Sequence, residues 1–242
     1  MLLSTILSMV ILASPQELSI TASSITPDVV ASYNGVVVQI DADELRSVEE
    51  NATVVISEFP LGADGEVNLR LQRFDVFTED AQVVIGSQNK RGDFIDAYVT
   101  RPNIIFLRGT IERDPSSRVF LALGEHTTNG LIETEGNTYV LAQDKTNNVN
   151  VVYNLRDLDP EVMNWADFHC DVDEYADPII SKGKDQQERS LVNGCKSIQL
   201  AIETDFEFTN DLFGGSTAQS SEYATTLIAA VSSIFNTDVG YA

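Results

Sequence analysis

Basic side chains are scarce in this sequence of 242 residues, where 15 Lys and Arg stand against 37 Asp and Glu for a formal net charge of -22. A surface of that sign repels phosphate backbones and anionic lipid, which sets nucleic acid aside as a partner. Histidine is scarcer still. His126 and His169 are the only two, neither has a second His four residues away, and a zinc site built on three imidazoles cannot be assembled from them. Beyond the first residues no apolar run approaches membrane-spanning length, so no stable membrane anchor is expected. No repeat of fixed period emerges, which disfavours propellers and solenoids. What remains is ordinary globular material, 43% hydrophobic and 21% charged, enough for one sizeable core and a fragment of another.

The chain opens with an apolar run, Leu2 to Ala13, too short to anchor in a bilayer and followed by Ser14, Pro15 and Gln16. It is expected to be a secretory signal peptide over residues 1–16, despite an n-region without Lys or Arg, and it implies a secreted, extracellular protein.

Residues 17–160 carry the pattern of a β-rich domain. Apolar or alternating runs occur at Val36 to Ile40, Thr53 to Ile56, Val67 to Leu71, Ala81 to Ile85, Ile104 to Arg108, Val119 to Leu123, Leu131 to Glu133 and Thr138 to Ala142. Turn-forming residues separate them at Asn34-Gly35, Gly62 to Gly65, Arg91 to Asp93, Asp114-Pro115, Asn129-Gly130 and Glu135 to Asn137. This spacing predicts an antiparallel sandwich or barrel.

Residues 161–194 form an acidic and polar connector by composition. Its basic residues Lys182, Lys184 and Arg189 are candidates for a trypsin-like cut. Cys170 and Cys195 bracket the connector, and in an oxidising compartment they are expected to pair, closing a loop that stabilises the fold by roughly 3 kcal/mol. His169, next to Cys170, is expected to be a surface residue, since sequence neighbours point apart and two ligands do not make a site.

After Cys195 the pattern changes. Ile198, Leu200 and Ile202 alternate with polar residues as in a half-buried strand, and Ser216 and Gln219 form a capping box ahead of Ala224, Leu227, Ile228, Val231 and Phe235 at helical spacing. This strand, Gly214-Gly215 turn and helix resemble the opening of the catalytic domain of secreted zinc metallopeptidases of the adamalysin/reprolysin branch of the metzincins. The phrases FPLGADGEVNLRLQRFDVF, FLRGTIERDPSSRVFLALGEHTTNGLI and NTYVLA look like the prodomain ahead of bacterial relatives of these enzymes.

The resemblance implies a zymogen: signal peptide, β-rich prodomain, connector, and in residues 195–242 the first strand and helix of an α/β metzincin catalytic domain. It implies zinc in the full-length protein, with protein or peptide substrates. The family's H-E-x-x-H-x-x-G-x-x-H motif is absent here, so this chain is expected to supply no catalytic or zinc-binding residue and to hydrolyse no peptide. Its unfinished strand and helix are expected to leave an exposed apolar patch. On the same resemblance Cys170 is a second kind of candidate, a cysteine-switch ligand for the zinc, although Asp171 follows it where a Gly is common and nearby acids oppose a thiolate.

Glu203, Asp205 and Glu207 are period-two acids that would share a strand face and could hold calcium, but they are as readily its solvated side. A family calcium ligand would fall at Gln199, which is neutral. His126 is expected in a turn. Two alternatives stand beside the precursor reading: a non-enzymatic extracellular β-domain for adhesion or carbohydrate binding, and a degenerate family member.

Overall fold

The computed structural model describes residues 16–19, 21–23, 34–40, 42–144, 149–158 and 199–239. Its centre is one curled sheet of ten strands. Eight of them pair antiparallel in the spatial order β4 (Thr53–Pro60), β5 (Glu66–Phe74), β8 (Ile105–Ile111), β9 (Asp114–Leu123), β10 (Thr128–Thr134), β11 (Asn137–Asp144), β12 (Val149–Asn154) and β3 (Val36–Gln39). The two outermost strands are consecutive in sequence: β1 (Gln16–Ser19) runs parallel to β4, and β2 (Thr21–Ser23) runs antiparallel to β3. One residue separates these two strands in sequence, and the eight antiparallel strands curl into a half-barrel.

Period-two alternation decides the inner face. Leu69 and Leu71 of β5, Ile105 and Leu107 of β8, Leu121 and Leu123 of β9, Ile132 of β10, and Leu141 of β11 point inward and are all but fully buried. The helix α1 (Ala42–Arg46) and the turn after it add Leu45 and Val48 to the core, and Arg73 donates from Nη1 to the carbonyls of Arg46 and Val48. Curling this tightly needs room between backbones. Gly109 supplies it, since a Cβ there would lie 2.1 Å from the Arg70 carbonyl oxygen and 2.9 Å from Leu71 Cα.

The runs expected from alternation are strands here, most of them longer than expected. Four strands had no counterpart in the expected runs: β1, β2, β12, and β7 (Phe94–Val99), which pairs with β6 (Val83–Gln88) in a separate hairpin. That hairpin has its own two-stranded sheet, with Phe94, Ile95 and Tyr98 exposed. Arg101 fixes its base by donating to the carbonyls of Ala81 and Glu79 at 2.9 and 2.7 Å.

Two expected turns are strand instead. Asp114-Pro115 opens β9, where Asp114 caps the following residues through Ser116, and the reversal falls at Glu112 and Arg113. Asn129-Gly130 lies within β10, where Gly130 faces inward between Leu121 and Leu141; the reversal falls at residues 124–127.

The larger correction concerns the C-terminal segment. Residues 199–205 form no strand, and Leu200 and Ile202 are exposed. Alternation alone does not make a strand, which needs a partner edge for its amides, and the sheet offers none here. Next comes a helix the sequence reading did not foresee, α2 (Phe206–Phe213), capped by Asp205, whose carboxylate accepts from the Phe208 amide at 2.7 Å. Gly214, in the left-handed region, ends it. The second helix, α3 (Thr217–Val239), starts at the expected cap, where the Gln219 amide donates to Ser216 Oγ at 3.3 Å, and runs past Asn236. Phe208 and Phe213 of α2 pack at a tilt against Tyr223 of α3, with ring centroids 6.3 and 5.4 Å away.

Candidate functional site

Cys170, Cys195, His169, Lys182, Lys184 and Arg189, like the signal segment before Gln16, lie outside the described residues. Glu203, Asp205 and Glu207 do not share a strand face: all three are exposed, Glu203 in irregular chain, Asp205 at the α2 cap and Glu207 in its first turn. Among the described residues no group of three His, Cys, Asp or Glu could hold a metal ion, and no helix is long and apolar enough to cross a membrane.

Two features of the outer sheet face have chemical interest. The first is where α3 is seated. Periodicity marks Ala224, Leu227, Ile228, Val231 and Phe235 as its apolar stripe; Ala224 and Ile228 are half-buried, yet Leu227, Val231 and Phe235 are 46, 45 and 56% exposed. The opposite edge faces the sheet, and it is mostly small and polar: Glu222, Thr226, Ala229 and Ser233. Ala229 sits on a cluster of Phe74, Phe106 and Phe120 whose rings lie 5.8 to 6.5 Å apart, so the helix approaches closely because nothing larger than a methyl intervenes.

Two turns earlier Glu222 reaches the reversal between β9 and β10. Its Oε1 accepts from the Thr127 amide at 2.7 Å, the Thr127 hydroxyl at 2.7 Å and the His126 amide at 3.1 Å. A carboxylate only 2% exposed is tolerable because these donors replace its water. His126 is thus a turn residue, as expected, and its role here runs through its backbone amide. Gly124 leaves space for the carboxylate, since a Cβ there would lie 1.8 Å from Glu222 Oε1.

The second feature is a trough of about 520 Å³ between the outer sheet face and the C-terminal half of α3, floored by Arg70, Arg108 and Arg118 on the neighbouring strands β5, β8 and β9. Phe120 and Leu131 add apolar floor, and Ser233 and Thr237 form the helical wall. Arg108 lies over the Phe74 ring with its guanidinium 4.6 Å from the centroid, and burial lowers its pKa from the ordinary value, though an arginine so placed remains cationic. Arg118 pairs with Glu133 at 3.8 Å. Among the described residues, Arg70 and Arg108 have no carboxylate partner. A second depression, about 680 Å³, shares Ser116, Arg118 and Glu133 with the first and extends it to Leu155 and Arg156.

Sequence reasoning found neither feature. Glu222 stands among Ser, Thr and Ala and looks like a solvated helix residue. The arginines are dispersed in sequence and meet only through strand order.

Fold and site define a curled antiparallel β-domain that carries a helical pair on its outer face. No protein-family model matches the chain, and no curated protein or solved structure matches it.

Proposed function

We propose that this chain is the precursor portion of a secreted zinc-dependent endopeptidase, itself without a zinc site, in which the β-domain serves as a folding and inhibitory platform for the segment that follows it. The observation that supports this reading is the seating of α3. The helix is fixed to the β-domain by its small polar edge and by Glu222, while Leu227, Val231, Ile234 and Phe235, with Leu200 and Ile202 before α2, stay exposed. Such a surface suits a unit whose apolar side is completed by further protein. In this role the β-domain presents α3 to the rest of the protease in a fixed orientation and Cys170 is a candidate zinc-blocking thiolate.

The test is peptide hydrolysis by the product of the complete reading frame. Chelator-sensitive cleavage that appears after the β-domain is removed supports the proposal, as does an H-E-x-x-H-x-x-G-x-x-H motif after residue 242. A complete reading frame without that motif and without chelator-sensitive cleavage refutes it. The alternative, a non-enzymatic extracellular binding domain, is favoured by the exposed β6–β7 hairpin with Phe94 84% and Tyr98 69% exposed. Specific retention on a glycan or matrix-protein array, abolished by replacing those two residues, would select it.

A further inference from the structure

Arg70 and Arg108 are an anomaly of charge. The chain carries 37 acidic residues against 15 basic ones, so carboxylates are abundant, yet these two guanidinium groups share the floor of one trough and find no carboxylate among the described residues. Arg108, held over the Phe74 ring and stripped of part of its hydration, favours an anionic partner that can accept two parallel hydrogen bonds, and the exposed Arg70 beside it adds a second positive charge. Through Ser116, Arg118 and Glu133 the trough joins the depression lined by Glu135, Leu155 and Arg156, and it carries apolar floor at Phe120 and Leu131 as well as the cations. A free inorganic anion would use one arginine and leave the rest of the trough empty; an extended peptide with alternating acids and aromatics would use all of it.

Such a peptide begins where the trough ends. Directly after Arg156 the sequence runs DLDPEVMNWADFHCDVDEYAD, with Asp159, Glu161, Asp167, Asp171, Asp173, Glu174 and Asp177 and no Lys or Arg before Lys182. Trp165, Phe168 and Tyr175 are interspersed among the acids. We propose that the trough is the docking site of this chain's own acidic segment, residues 159–177, with carboxylates on Arg108 and Arg70 and an aromatic side chain against Phe120 and Leu131. Extended, that segment reaches roughly 60 Å, ample to follow the trough from its origin at Arg156. Covalent attachment favours it over any acidic partner in solution, because the effective concentration of a tethered segment is in the millimolar range, whereas a chain of net charge -22 repels a separate acidic protein. Docked there, the segment would hold Cys170 and the basic candidates for cleavage beside the β-domain, a consequence that does not depend on what lies after residue 242.

Trp165 is the only tryptophan in the chain, so its emission reports on this segment alone. The experiment uses the full chain and the neutral quencher acrylamide, comparing the native protein with the Arg70→Gln/Arg108→Gln and Arg70→Glu/Arg108→Glu variants and with Arg91→Glu at the tip of the hairpin as control. Far-UV circular dichroism verifies the sheet in each. The expected result is a Trp165 shielded several-fold relative to the urea-unfolded chain, with shielding reduced in the Gln pair, lost in the Glu pair, weakened in the native protein at high salt and unchanged in the control. Shielding by the acidic segment should also resist an excess of a poly-glutamate peptide, which a site for acidic partners in solution would not. The proposal is overturned if Trp165 is fully accessible in the native protein, if the Glu pair leaves its shielding intact while the sheet is retained, or if poly-glutamate displaces it as readily as the charge reversal does.

Discussion

Replacing Glu222 by Ala should release α3 from the sheet. The carboxylate takes hydrogen bonds from two backbone amides and a hydroxyl at 2.7 to 3.1 Å in a site only 2% exposed, so its removal leaves the amides of His126 and Thr127 without their acceptor. Hydrogen bonds to a charged group contribute about 1.5–3 kcal/mol each, part of which is offset by the cost of burying the carboxylate, and orphaned buried donors cost about 1–3 kcal/mol. These terms are not additive; together they set the loss at about 3–5 kcal/mol. The energy is invested where α3 meets the β9–β10 reversal, so the loss should appear as local opening of α3 and of that reversal more than as global unfolding. Hydrogen exchange of the α3 amides measures it, with acceleration on the order of a hundredfold or more, since about 1.4 kcal/mol is a factor of ten. Glu222→Gln keeps the Oε1 acceptor but places an amide group near the His126 amide, and should cost about 1–2 kcal/mol. Gly124→Ala tests the same contact from the other side: its methyl group would occupy the carboxylate's position, so its cost should be large alone and small in a Glu222→Ala background. Acceleration below about fivefold in Glu222→Ala, or full additivity of the two substitutions, would refute this account of how the helix is held.

Gly109→Ala should destabilise the sheet by about 3 kcal/mol or more, because the added methyl meets the backbone of Arg70 and Leu71, which cannot move aside without breaking strand pairing. Urea midpoints check this, with Gly86→Ala in the exposed hairpin, where nothing lies within 4 Å of the added atom, as the near-neutral control. Tyr139, 2% exposed, donates to Asp64 at 2.6 Å, and burial, with that hydrogen bond and the carboxylate charge, pushes its phenol up to about 12. The unfolded chain releases this proton near pH 10 while the folded chain keeps it, so stability is full below about pH 10 and falls by about 2–3 kcal/mol as pH rises towards 12. Denaturation of Tyr139→Phe across that window should show a flatter decline, and an unchanged slope would remove Tyr139 as the cause.

Much of the β-domain follows from local pattern. A residue in a strand alternates faces whatever its neighbours, so Leu69 and Leu71 set against Arg70 and Gln72 identify an inner and an outer side before any partner strand is known. Caps are local too, which is why Ser216 and Gln219 mark the start of α3 correctly. Pairing is not local. Leu200 and Ile202 alternate as well as any strand does and remain irregular, because hydrogen-bond partners for their backbone must come from elsewhere in the chain and the sheet supplies none there. The orientation of α3 was likewise beyond the sequence. A 3.6-residue period shows that a helix has two faces, but which one meets the sheet depended on the Phe74, Phe106 and Phe120 platform accepting only small residues and on the β9–β10 reversal needing an acceptor that Glu222 could provide. The arginines of the trough, dispersed in sequence, share a floor because β5, β8 and β9 are neighbours in one sheet and because each arginine falls on its outward register. Composition determined that these 242 residues are acidic and globular and hold only two histidines; strand order alone decided where their few positive charges meet.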